Sequence, residues 1–219
     1  MACELQNGEM ILLGAGGHAR VLCDTLRLLG WLERVRGVVA LPLSAEERAL
    51  LTLPHLGTDV WLESLDPERV TLVNGIGSVG ETTRRRELFE RCQGLGFGFS
   101  TLIHPTAWVA GDVALGMGAQ LMARALVQTG VTAGENVLIN SAAVIEHDCR
   151  LASHVHVASA AVLSGGVRVG VGTHVGAGAV VRQGIVIGAC CVIGAGAVVV
   201  RDVRDGAVVM GSPAGEKRR

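Results

Sequence analysis

The sequence predicts a parallel β-helix over its C-terminal half, preceded by a small α/β unit. Three observations predict this. First, residues 109 to 199 carry an aliphatic side chain at every sixth position: Val109, Leu115, Leu121, Val127, Ala133, Ile139, Ile145, Leu151, Val157, Leu163, Val169, Val175, Val181, Ile187, Ile193 and Val199. Second, the residue four places after each is small or β-branched and never charged, as at Ala119, Ala125, Val131, Cys149 and Cys191. Third, the first hundred residues lack this repeat and instead alternate short apolar runs with helical stretches. A period of six fits neither the 3.6 of a helix nor the 2 of a strand. It is the repeat of a parallel β-helix.

The N-terminal elements follow in order. Met10–Leu13 is a short buried strand, Gly14-Ala-Gly-Gly-His18 is a loop, and Ala19–Leu29 has helical periodicity ending at Gly30. Arg36–Leu41 reads as a second strand and Arg69–Asn74 as a third. Gly75-Ile-Gly77 and a helix through Arg84–Leu88 follow. Alternating strands and helices imply a small Rossmann-like parallel sheet, giving an α/β domain over 1–100 and a β-helix over 101–219. Gly14 to Ala19 satisfies G-x-G-x-x-A between a strand and a helix. Such a loop lets backbone N–H groups approach a phosphate. The acid that should follow the second strand of a dinucleotide site is absent from Val38-Val-Ala-Leu-Pro42. A mononucleotide or nucleotide-sugar site is therefore preferred to a redox cofactor, and a purely structural glycine turn is the alternative.

In the repeat, two inward residues in six, one large and one small, suit the flat faces and tight corners of a three-sided prism. Three hexapeptides make one coil. Roughly five coils stacked at about 4.8 Å give a prism about 25 Å long. Glycine often follows the aliphatic residue (116, 134, 170, 176, 188, 194), where turn backbone is expected to need it. Only eight charged residues lie between 109 and 200. A solitary prism would carry more, so some faces should be buried between copies, and a three-sided unit suggests a cyclic homotrimer.

Composition excludes several classes. Net charge is −1 without a basic patch, so nucleic acid is a poor partner. No apolar run approaches the ~18 residues of a membrane span, and no membrane partner is expected. The N-terminus has no signal-peptide pattern. Six cysteines lack disulfide or metal spacing, and Cys149 and Cys191 fall on inward positions. A reduced, cytoplasmic protein is expected.

The chemistry should lie in the prism. His147 stands two residues after an inward aliphatic, in Ile145-Glu-His-Asp-Cys149. It should sit at an open corner, where a flanking carboxylate can fix its tautomer and make it a general base. His156 and His174 lie 18 residues apart, so they should stack on adjacent coils, both facing out, as should His154. A surface histidine at a subunit interface is the alternative reading of each. A remote alternative is a metal-dependent β-helix hydratase of the γ-carbonic-anhydrase kind, which needs three neutral histidines around zinc; that family places two of its ligands five residues apart, and no two histidines here have that spacing. No metal is expected.

Gly14-Ala-Gly-Gly-His18, Ile103-His-Pro-Thr-Ala107, the run from Asn140 to Asp148 and Gly211-Ser-Pro-Ala214 together resemble the NeuD/PglD-type bacterial sugar acetyltransferases. The resemblance covers almost the whole chain. It implies a left-handed β-helix, acetyl-CoA as acyl donor and a nucleotide-linked amino sugar as acceptor. His147 matches the catalytic base, Asp148 the acid that supports it, and Asn140 a residue near the acceptor. His156 matches a histidine that contacts acetyl-CoA. Gly165 matches a glycine whose N–H faces the thioester carbonyl, and Ala177 and Ala195 line the pantetheine groove. Gly16, Gly17 and His18 match the loop that holds the sugar nucleotide, and Gly77 a later turn at the same site. The departure at Ala40-Leu-Pro42, where relatives carry acids, leaves the nucleotide open. The resemblance implies N-acetylation of a UDP- or GDP-linked 4-amino-4,6-dideoxyhexose for surface glycan synthesis. O-acetylation of sialic or another nonulosonic acid is the alternative, and a non-catalytic scaffold a remote one.

Overall fold

A computed structural model describes residues 8–45 and 53–216. The described chain forms two compact units. One comprises the residues up to Gly77 together with Glu87–Ser100; the other comprises Ser78–Arg86 together with the residues from Thr101 onward.

The first unit is an open parallel sheet of β1 (Glu9–Leu13), β2 (Val35–Val39), β3 (His55–Gly57), β4 (Val70–Asn74) and β5 (Gly98–Phe99), in the order β3-β2-β1-β4-β5. Three of these strands were legible as apolar runs. β3 and β5 are three and two residues long, too short to show a period. Helix α1 (Gly17–Leu28) buries Ala19, Leu22, Cys23 and Leu26, the i, i+3, i+4, i+7 stripe of a helix packed on a sheet. Helix α2 spans Thr83–Gly94, and its Phe89 stacks on Phe99 of β5 at 4.2 Å. β1 and β4 are neighbours, yet β1 leads to β2 on one side and β4 to β5 on the other. That is the switch point at which open α/β sheets bind ligands, outside the carboxyl ends of the strands.

The second unit is the prism. Its strands are mostly two residues long and pair in parallel with the coil above, 18 residues on: Leu126 with Val144, Val144 with Val162, His156 with His174. Three ladders form three faces, identified here by Trp108, Arg150 and His156. The aliphatic and small positions read from the repeat fill the interior. From Ala119 to Ala197 all but Ala133, Leu151, Val169 and Ile185 are 0–1% exposed, and those four are also buried. Cys149 points inward; its Sγ lies 3.2 Å from the Ser164 carbonyl, and burial pushes its thiol up to about 11. It is no nucleophile.

The corner glycines correct one expectation. From Leu115 to Ile193, positive φ falls three residues after each aliphatic position, not one. Glycine fills it at 118, 130, 166, 172, 178, 184 and 196, and Arg124, Asn136, Ala142, Asp148, His154, Ala160 and Cys190 adopt it too. The glycine directly after the aliphatic residue answers a different need. A Cβ on Gly116 would lie 2.5 Å from the Glu135 nitrogen, and one on Gly176 2.6 Å from the Ala195 nitrogen. Those positions are glycine because the next coil passes too close, not because of their dihedral angles.

Candidate active site

His147 lies where the Trp108 face turns into the Arg150 face. The corner projects it outward, with its side chain half exposed. Asp148 adopts φ 60°, a left-handed backbone that Asp tolerates better than most residues. Its Oδ2 lies 2.8 Å from His147 Nδ1. The ring therefore donates from Nδ1, which leaves the Nε2 lone pair free to take a proton. The next coil supplies Gly165 beneath the ring. A Cβ there would lie 2.5 Å from His147 Nε2 and 2.6 Å from Cε1. Only glycine lets the imidazole settle over that backbone. Among the described residues none accepts a hydrogen bond from the Gly165 N–H. His147, Asp148 and Gly165 thus meet at one corner.

Asn140 and His156 meet elsewhere. Asn140 opens the corner between the His156 and Trp108 faces, and its Nδ2 lies 3.4 Å from His156 Nε2. Ala177 and Ala195 share that corner on later coils, joined by the Gly196 N–H to the Ala177 carbonyl at 2.8 Å. Both are exposed and small, leaving an unobstructed edge. Within one chain, therefore, the predicted residues form two groups on different edges of the prism, separated by the Trp108 face.

His156 and His174 do point out of the prism wall and do stack, at 4.8 Å between centroids and 77°. Facing out of the prism does not leave them open: they are 4% and 7% exposed. His154 is buried too, its Nδ1 3.1 Å from Asn136 Nδ2. The segment Ser78–Arg86 covers the His156 face. Ser78 Oγ lies 2.6 Å from His156 Nδ1, Thr82 donates to the Gly172 carbonyl at 2.8 Å, and Arg85 donates to Gln120 at 3.2 Å. Sequence reasoning missed this clasp. It is a short polar stretch with no periodicity, and nothing local announces that it lies on the prism. Burial holds His174 below the usual histidine pKa.

In the first unit, Gly16, Gly17, His18 and Gly77 gather at the switch point. A Cβ on Gly77 would sit 3.3 Å from that of His18, whereas Gly16 and Gly17 have open space around them. Gly16 caps α1 without a side-chain bond, and the first turn holds no acid. That leaves the end of α1 suited to a phosphate.

No protein-family model matches the chain, and no curated protein does. Solved structures do. A variant of perosamine N-acetyltransferase from Caulobacter crescentus, in complex with CoA and GDP-perosamine, is 35% identical, with a TM-score of 0.87 over 99% of this chain and 100% of that one. The acetyltransferase domain of PglB from Neisseria gonorrhoeae, in complex with acetyl coenzyme A, is 36% identical, with a TM-score of 0.84 over 97% and 100%. The chain belongs to the NeuD/PglD-type sugar acetyltransferases. Its prism is the left-handed β-helix of that family. WeeI from Acinetobacter baumannii shares the fold at 19% identity, with a TM-score of 0.79 over 96% of this chain and 100% of that one. Among the described residues of this NeuD/PglD-type chain, no group of three His, Cys, Asp or Glu could hold a metal ion, and no helix is long and apolar enough to cross a membrane.

Proposed function

We propose that this protein is an acetyl-CoA-dependent N-acetyltransferase acting on the amino group of a nucleotide-linked amino sugar. The acceptor class that fits best is a UDP- or GDP-linked 4-amino-4,6-dideoxyhexose destined for a surface glycan and made in the cytoplasm. The observation that carries this reading is the His147–Asp148 pair over Gly165, in a chain similar end to end to an enzyme crystallised with CoA and GDP-perosamine.

The mechanism is direct transfer. The neutral amine attacks the thioester carbon as His147 Nε2 takes its proton. A C–N bond forms, and the carbonyl oxygen becomes an oxyanion, for which the Gly165 N–H is the proposed donor. One such donor is worth roughly 3 kcal/mol in other enzymes. Collapse breaks the C–S bond, and the CoA thiolate leaves and takes the proton held on His147 Nε2, which restores the base. Cys149 takes no part, being buried and protonated. Ala177 and Ala195 leave the edge clear for the pantetheine arm. Gly16, Gly17, His18 and Gly77 are the proposed sugar-nucleotide contacts.

The site is complete only in an assembly. The outward ladder of the Trp108 face is Trp108, Leu126, Val144, Val162, Val180 and Val198, without one polar residue. The Arg150 face instead shows Arg150 and Arg168. An uncharged face flanked by two half-sites suits a cyclic homotrimer in which one copy's His147 corner meets the next copy's Asn140 corner. The test is turnover with acetyl-CoA and a free-thiol readout across UDP- and GDP-linked amino sugars, with sialic acids alongside. Turnover of a nucleotide amino sugar supports the reading. Turnover of sialic acids alone transfers it to O-acetylation, and no turnover of any acceptor sinks it.

A further inference from the structure

Hydrogen-bond donors and acceptors around His156 can be assigned one after another. The Ser141 N–H donates to Asn140 Oδ1 at 2.8 Å, so the amide oxygen faces the backbone and Nδ2 faces the ring. Asn140 Nδ2 is a donor, and it lies 3.4 Å from His156 Nε2. A protonated Nε2 would set two donors against each other, so Nε2 carries the lone pair. The ring hydrogen then sits on Nδ1 and donates to Ser78 Oγ at 2.6 Å. Reversing the Asn140 amide would set its NH₂ against the Ser141 N–H and fails for the same reason.

We propose that Ser78 is a positioning residue: its hydroxyl locks His156 as the Nδ1–H imidazole and so fixes the ring and the Asn140 amide as one rigid wall of the acyl site. This rests on the acetyltransferase reading above and deepens it. Two consequences follow. His156 offers an acceptor at Nε2, not a proton, so it cannot supply the oxyanion bond, and that duty falls to a backbone N–H. And a residue just after the Gly75–Gly77 loop, inside the clasp rather than the hexapeptide repeat, controls the chemistry of the repeat.

Thr82 separates positioning from mere attachment. It is a neighbouring clasp contact, bonded to the Gly172 carbonyl and not to His156. The experiment uses the full chain with ¹⁵N-labelled histidine and long-range ¹H–¹⁵N correlation, which distinguishes the two neutral tautomers of an imidazole. The wild type should show a pyridine-type Nε2 for His156. Ser78→Ala should move that resonance toward the average of both tautomers, and Ser78→Thr should restore it. Thr82→Ala should lower Tm and leave the resonance in place. In kinetics, Ser78→Ala should cut kcat/KM for acetyl-CoA about tenfold, the scale of one lost hydrogen bond, with the KM for the sugar nucleotide within about twofold of wild type. An unchanged Nε2 resonance in Ser78→Ala overturns the proposal, as does an equal change in Thr82→Ala. The tautomer measurement needs no turnover, so it stands even if the acetyltransferase reading fails.

Discussion

The His147 corner and the His156 face belong to one prism and are built on opposite terms. His147 stands half exposed, held by a single carboxylate and a glycine below it. His156 is buried and bonded at both ring nitrogens, beneath a segment that arrives from outside the repeat. The two halves draw their rigidity from different sources. The buried half is pre-organised within one chain. The exposed half has an open Nε2 and an apolar face beside it, and the proposal gives it a neighbouring copy.

The largest expected effect removes the exposed half. His147→Ala should lower turnover by at least about a hundredfold, the usual scale of a general base, with the far-UV spectrum and Tm unchanged. Near-normal turnover would take His147 out of the mechanism. Co-expression separates the contributions of the two corners. His147→Ala chains and Asn140→Ala/His156→Ala chains should each be nearly inactive alone. If each site joins one corner from each of two copies in a cyclic trimer, random mixing leaves about a quarter of the sites intact. Recovery to roughly a quarter of wild-type turnover is the expected result. No recovery in mixed oligomers would place both halves in the same chain's site.

A subtler break leaves His147 in place and moves it. Gly165→Ala puts a methyl group where the imidazole lies. A shift of about 1 Å at reacting atoms can cost on the order of a hundredfold, so a loss of about ten- to a hundredfold in kcat is expected with the fold intact. Adding Gly165→Ala to His147→Ala should then cost almost nothing more. If the double variant is far worse than His147→Ala alone, Gly165 acts through something other than ring placement.

The repeat made the prism legible because every coil imposes the same demand at the same place. Val155 and Val157 point inward for the reason that Val137 and Ile139 do, and one error in register would reverse them all. The His147–Asp148 contact was legible because the two are adjacent and the aliphatic register puts His147 at a corner. What stayed hidden was set by distant chain. Burial of His156 and His174 depends on Ser78, Thr82 and Arg85, which the hexapeptide count never touches. The role of the post-aliphatic glycines was misread for a related reason: their constraint comes from the next coil, 18 residues on, and not from local dihedral angles.

The smallest effect probes the buried half alone. Desolvation lowers the pKa of His174 in the folded chain below the ordinary histidine value, so the unfolded chain binds a proton more readily than the folded one. Stability should therefore be full above the unfolded pKa and fall as pH drops below it, levelling once the folded-state pKa is passed. His156 stands edge-on at 4.8 Å, and a charge on either ring would oppose a charge on the other. Replacing His174 with Phe keeps the ring and removes the titration. As pH falls through the ordinary histidine range, the wild type should lose Tm more steeply than His174→Phe, by a few degrees at most in a chain of this size. Parallel curves would mean that His174 titrates alike in both states and that the clasp does not keep it dry.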